Sequence, residues 1–165
     1  MVTVVLEPYS PEWPLLFEHE ARCIETALEG LAVQVHHSGS TSVPGLRAKP
    51  IIDITLVVPD STDEDQYVPA LVEAGYEFLM REPDWFEHRL LRRLEPRVNV
   101  HVFTVGSPEI ERMLAFRDHL RVNDDDRSLY ESTKLSLAER EWETVQDYAD
   151  AKTQVVSEIL ARALA

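Results

Sequence analysis

The sequence predicts one α+β domain spanning residues 1–165, built on a mixed β-sheet with flanking helices and a C-terminal helical pack. Three observations carry that prediction. Strand-like apolar runs and amphipathic segments are interspersed rather than strictly alternating. From Arg127 to Ala165 only helical patterning occurs. A chain of 165 residues, 44% apolar and 28% charged, suits a single domain with a full-sized core.

The elements follow in order. Val2–Leu6 reads as a short strand. Ser10 caps a helix with Pro11 at its first position, which runs to a glycine stop at Gly30 and buries Trp13, Phe17, Ile24 and Leu28. Ala32–His37 alternates as a strand, and Ile51–Val58 is nearly continuously apolar, as a central strand is. Asp60 or Ser61 opens a helix through Tyr67, Leu71 and Ala74 that Gly75 ends. Strands follow at Tyr76–Met80, Phe86–Leu94 and Arg97–Phe103, separated by Pro83 and Pro96, the last two as an antiparallel hairpin. Ser107-Pro108 starts the helix Glu109–Val122, Asn123–Asp126 makes a polar break, and Arg127–Ala165 forms one long helix or two.

Sixteen basic residues against 30 acidic ones give a net charge of −14, which excludes an extended nucleic-acid surface but not a small cationic pocket. No apolar run is long enough for a membrane span, and the N-terminus lacks the pattern of a signal peptide. Cys23 is the only cysteine, so no internal disulfide forms, and a cytoplasmic location is expected. On its amphipathic helix this thiol reads as buried and inert.

Chemistry concentrates between His37 and Val58. An alternating strand ends at Gly39-Ser40, a loop of small polar residues follows, and the next strand carries a single acid, Asp53. Backbone N–H groups and hydroxyls of Gly39, Ser40 and Thr41 suit phosphate oxygens. A carboxylate in a sheet requires a neutralising partner. That partner is a bound cation, or else a salt bridge to Lys49 or Arg47.

Gly39-Ser40, twelve intervening residues and Asp53-Ile54-Thr55-Leu56 resemble the signature of the nucleotidyltransferase superfamily. More closely, the chain resembles the GrpB family, small proteins assigned to that fold. Matching segments include Tyr9–Trp13, His37–Asp53, Glu82–Arg89, Asn99–Phe103, Gly106–Arg112 and Phe116–Arg121, and the Tyr-x-x-x-Lys pairs 130/134 and 148/152. The resemblance implies a nucleotidyltransferase-like fold, a nucleoside triphosphate and a divalent metal, Mg²⁺ or Mn²⁺. It also implies a departure: the superfamily's second acid falls at position 55, which here is Thr55. Two-ion phosphoryl transfer relies on that pair, so another ligand, a single ion or no transfer must follow.

The hairpin offers a replacement. Alternation in Arg97–Phe103 sets Arg97, Asn99, His101 and Phe103 on one face and three valines on the other. If the valines face the core, His101 serves as ligand or general base and Asn99 as a polar orienter, with His88 and Arg89 joining from the partner strand. Metal candidates are then Asp53, Thr55 and His101. Of His36 and His37 at most one faces the site, and His119 is structural.

Lysine is scarce: three against thirteen arginines, at Lys49, Lys134 and Lys152. Lys49 and at least one of Lys134 and Lys152 are candidate phosphate contacts, with Arg117 and Arg121 beside them. The Tyr-x-x-x-Lys pairs lie eighteen residues apart, about five turns of straight helix, so an unbroken segment aligns them and a bent one need not. Leu129, Leu135, Leu137 and Val145 read as packing positions.

The expected function is nucleotidyl transfer to a hydroxyl acceptor. The alternative is a non-catalytic nucleotide or phospho-ligand binding module on the same fold. The small-molecule partner is a nucleotide; the sequence does not fix the acceptor, the base or the oligomeric state.

Overall fold

A computed structural model describes all 165 residues, Met1–Ala165. Its centre is a five-stranded sheet in the order β1-β2-β5-β4-β3, from β1 (Gln34–Ser38), β2 (Ile52–Val58), β3 (Glu77–Glu82), β4 (His88–Leu94) and β5 (Arg97–Thr104). Only β2 and β5 run parallel, so the sheet is mixed. As its apolar run requires, β2 is paired on both sides. Residues of even number on β2 and β5 (Ile52, Ile54, Leu56, Val98, Val100, Val102) form the main core with Trp13 and Ile24 of α1 (Glu12–Ala27), Leu28 just past its end and Leu71 of α2 (Val68–Glu73). The opposite face presents Asp53, Thr55, Asn99 and His101, aligned Asp53 to Asn99 and Thr55 to His101.

Four helices complete the chain: α3 (Pro108–Val122), α4 (Asp124–Ala138), α5 (Val145–Ala151) and α6 (Thr153–Ala163). A second core joins Leu120, Tyr130, Val155 and Ile159 to Val43 and Leu46 of the loop before β2. Asp126 locks this pack, accepting from Arg162 at 2.7 and 2.8 Å and from His119 at 2.6 Å. His119 is therefore structural, as expected.

Several boundaries differ from the sequence reading. Val2–Leu6 is not a strand; single bridges tie Val2 to Trp142 and Glu7 to Ala48 outside the sheet. Asp60 turns on itself, accepting from the Thr62 N–H and hydroxyl, and helix forms only from Val68. Pro69 has no N–H to donate back to Asp65, so it suits the first turn of α2 and not the interior of a helix begun at residue 61. Residues 83–86 form turns before β4. The polar break at 123–126 is a helix start, because the Asn123 side chain accepts from the Asp126 N–H at 2.9 Å. The C-terminal region breaks around Trp142, whose backbone pairs with Val2, and restarts at a Thr144–Asp147 capping box. Leu129, Leu135 and Val145 are exposed. Cys23 is half-buried, its sulfur 3.8 Å from His19 Nε2. No helix is long and apolar enough to cross a membrane.

Candidate functional site

Where β1 ends, Gly39 reverses the chain with φ +69° and Ser40–Ser42 form a 3₁₀ turn. A Cβ on Gly39 would lie 2.8 Å from Asp53 Cβ and 2.9 Å from its Cγ, and closer still to a carboxylate oxygen. Only glycine allows both that backbone and that approach. The Asp53 carboxylate thus lies directly against the turn, whose first N–H groups have no acceptor inside it. Thr41 braces the turn from behind: its hydroxyl donates to the Ile51 carbonyl (3.2 Å) and accepts from His37 Nε2 (3.0 Å). Burial pushes His37 down to about 4, so its ring is neutral and Nε2 carries the donated hydrogen. That ring stacks on Phe17.

A cavity of about 210 Å³ opens between the turn, the Asp53 face of the sheet and the C-terminal helices. It gathers Gly39, Ser40, Thr41, Lys49, Asp53, Asn99, Arg117, Lys134 and Lys152 of the expected residues, and adds Tyr130 and Tyr148. All three lysines of the chain therefore border one cavity. Lys134 Nζ donates to Ser40 Oγ (2.9 Å) and to the Arg47 carbonyl (2.6 Å). It lies 4.9 Å from the Tyr130 ring centre, and Lys152 and Lys49 lie 4.8 and 5.5 Å from that of Tyr148.

No carboxylate lies within ion-pair distance of any of these ammonium groups. The salt bridge from Asp53 to Lys49 or Arg47, open from sequence, is therefore not made. Burial, followed by repulsion from Lys152, pushes Lys134 down to about 7 and lowers Lys49. Burial also lowers Lys152. The Tyr148 hydroxyl is fully buried and lacks a hydrogen-bond partner. One concavity thus gathers three ammonium groups without an acid partner and one hydroxyl without a hydrogen-bond partner.

Beside the cavity a polar chain crosses the sheet. Asp53 Oδ1 lies 3.3 Å from His101 Nε2, His101 Nδ1 lies 3.1 Å from His88 Nε2, and His88 Nδ1 lies 2.9 Å from Glu82 Oε1. Burial pushes His88 down to about 3, keeping it neutral. His101 and His88 thus join Asp53, as their strand faces imply.

Two expected members do not. Thr55 is fully buried; its hydroxyl donates to Ser38 Oγ at 2.8 Å, with Met113 Sδ of α3 at 3.5 Å, so it does not reach the cavity. Arg89 alternates to the opposite face from His88 and pairs with Glu64 (2.8 Å) and Glu87 (3.1 Å). Thr41 contributes backbone only, its hydroxyl being engaged. Arg117 reaches the rim, held by the His37 carbonyl (3.0 Å) and Asp118. Arg121 is bound to the Ser42 carbonyl (3.0 Å). Tyr148 was missed as a site residue; its repeat with Lys152 was the available signal.

The mixed α+β fold is similar to that of a solved terminal transferase. A cytoplasmic RNA terminal U-transferase superposes with TM-score 0.56 at 14% identity, over 81% of this chain and 41% of that one. The chain belongs to the GrpB family, whose "GrpB protein" profile matches residues 3–162. A UPF0157 protein of Halalkalibacterium halodurans is 55% identical over 98% of this chain and 83% of its own length. The crystal structure of the conserved protein GrpB from Enterococcus faecalis superposes with TM-score 0.85 at 34% identity, over 97% of both chains.

Proposed function

We propose that the domain binds a nucleoside triphosphate with one divalent cation, Mg²⁺ or Mn²⁺, and transfers its nucleoside monophosphate to a hydroxyl acceptor. The observation that carries this reading is the convergence of all three lysines, none paired with an acid, on the cavity where Asp53 meets the Gly39–Ser40 turn. Lys49, Lys134 and Lys152 neutralise the β- and γ-phosphates, and Ser40 and the turn amides bind their oxygens. A cavity of about 210 Å³ is below the roughly 300–1,000 Å³ of whole-ligand pockets, so it holds the phosphates and leaves the base outside.

The donor set for the cation is small. No group of three or more His, Cys, Asp or Glu side chains is arranged to hold a metal ion, and Thr55 is engaged elsewhere. Asp53 and His101 supply one oxygen and one nitrogen 3.3 Å apart. That pair fits one ion whose other positions are taken by phosphate and water, and its imidazole favours Mn²⁺ over Mg²⁺. Bound there, the ion would offset phosphate charge as a Lewis acid. Transfer joins the acceptor oxygen to the α-phosphorus and breaks the α–β bridging bond; pyrophosphate leaves and the acceptor's proton passes to water.

The test is equilibrium binding of labelled ATP or GTP with Mg²⁺ or Mn²⁺, followed by a pyrophosphate-release assay. Asp53→Ala and Lys134→Ala are expected to lose binding; unchanged affinity in both removes the assignment. Thr55 in place of the second acid favours a second reading, a non-catalytic phospho-ligand binder. Tight binding without pyrophosphate release across a panel of hydroxyl acceptors selects it.

A further inference from the structure

We propose that Glu82 and His88 are positioning residues that hold His101 as its Nδ1–H tautomer, presenting the Nε2 lone pair beside Asp53. This rests on reading Asp53 and His101 as a cation-holding pair, and it extends the site across two further strands.

Three contacts fix where the protons lie. Glu82 Oε1 only accepts, so His88 Nδ1, 2.9 Å away, carries a hydrogen. The His88 side chain is 2% exposed and packs against the Trp85 and Phe103 rings at 4.6 and 5.0 Å between centres. Those apolar walls favour the neutral ring, leaving its Nε2 bare. His101 Nδ1, 3.1 Å from that nitrogen, must then donate to it.

A neutral imidazole has one N–H. With Nδ1 protonated, His101 Nε2 holds a lone pair 3.3 Å from the Asp53 carboxylate. Two lone pairs at that separation repel unless something positive, a shared proton or a cation, lies between them. The strands thus prepare a gap for a cation, and the partners that fix the ring sit outside it. The neutral ring in water prefers the opposite tautomer, so this arrangement is a product of the fold.

The test is ¹⁵N imidazole NMR of the full chain at pH 8.5, where neutral rings dominate, with Mn²⁺ titrated calorimetrically as a separate measurement. In the wild type, His88 and His101 are expected as Nδ1–H tautomers. Glu82→Ala, at a side chain 44% exposed, and His88→Phe, which keeps the ring packing, are each expected to return His101 toward Nε2–H. Each should weaken Mn²⁺ binding about 10–100-fold. His101 found as Nε2–H in the wild type, or its tautomer unmoved in both variants, overturns the proposal. If the tautomers behave as expected but the wild type does not bind Mn²⁺, the positioning stands and the cation reading fails.

Discussion

Replacing Lys134 by methionine tests the cavity through stability as well as binding. The side chain is 2% exposed, and burial pushes its ammonium down to about 7. From an ordinary value of 10.5, that displacement corresponds to a charge-burial cost on the order of 4–5 kcal/mol. Methionine removes this cost but also two hydrogen bonds, to Ser40 and the Arg47 carbonyl, each worth about 1.5–3 kcal/mol for a charged donor. The two effects nearly cancel at pH 7, so the informative quantity is the pH dependence.

Between about pH 7 and 10 the folded wild type binds fewer protons at Lys134 than the unfolded chain. Its stability therefore rises with pH, by up to about 1.4 kcal/mol per unit from this group. Urea denaturation at pH 7, 8, 9 and 9.5 should show that slope in the wild type and a flatter one in Lys134→Met. Inorganic triphosphate should raise the wild-type transition and take up protons on binding, so its affinity falls from pH 7 to 9; the variant should bind far more weakly. Equal slopes and equal triphosphate affinity in the two proteins would refute the reasoning.

Three other outcomes follow from the geometry. Gly39→Ala should destabilise by about 1–3 kcal/mol from its backbone angles alone, and further from overlap with Asp53, seen as a lower denaturation midpoint. Thr55→Asp places a charge beneath Met113 with only Ser38 beside it, and should cost about 3 kcal/mol or more. It should not raise pyrophosphate release above the wild-type level; a stable variant with raised activity would reverse this view. Arg162, then His119, hold the Asp126 carboxyl at about 2. Its contribution is present above the ordinary 3.8 and is lost as pH falls through about 2. Asp126→Asn should remove about 2 kcal/mol at pH 7 and flatten the acid limb of the melting curve.

The sheet and the faces of its strands were legible because alternation is a local property. Asn99 and His101 could be set opposite the valines, and Asp53 against Gly39-Ser40, from spacing alone. Lysine scarcity also pointed to the cavity, although the segment carrying Lys134 and Lys152 is broken. That break was not legible, since it depends on Trp142 meeting Val2 from the other end of the chain. Thr55 looked like a coordinating hydroxyl until α3 brought Met113 over it. Arg89 was grouped with its neighbour His88, though adjacent strand residues point to opposite faces. Each of these failures involves a contact between segments distant in sequence or the side of a sheet.

The tyrosine faces beneath the three ammonium groups have a further consequence. An aromatic surface steadies a cation through its quadrupole and carries no formal charge of its own. Aspartate or glutamate in the same places would have cancelled the positive potential, and an incoming anion would first have had to dislodge them. Rings instead leave whatever charge the lysines carry facing the opening, so a chain of net charge −14 encloses a hollow bordered by all of its lysines.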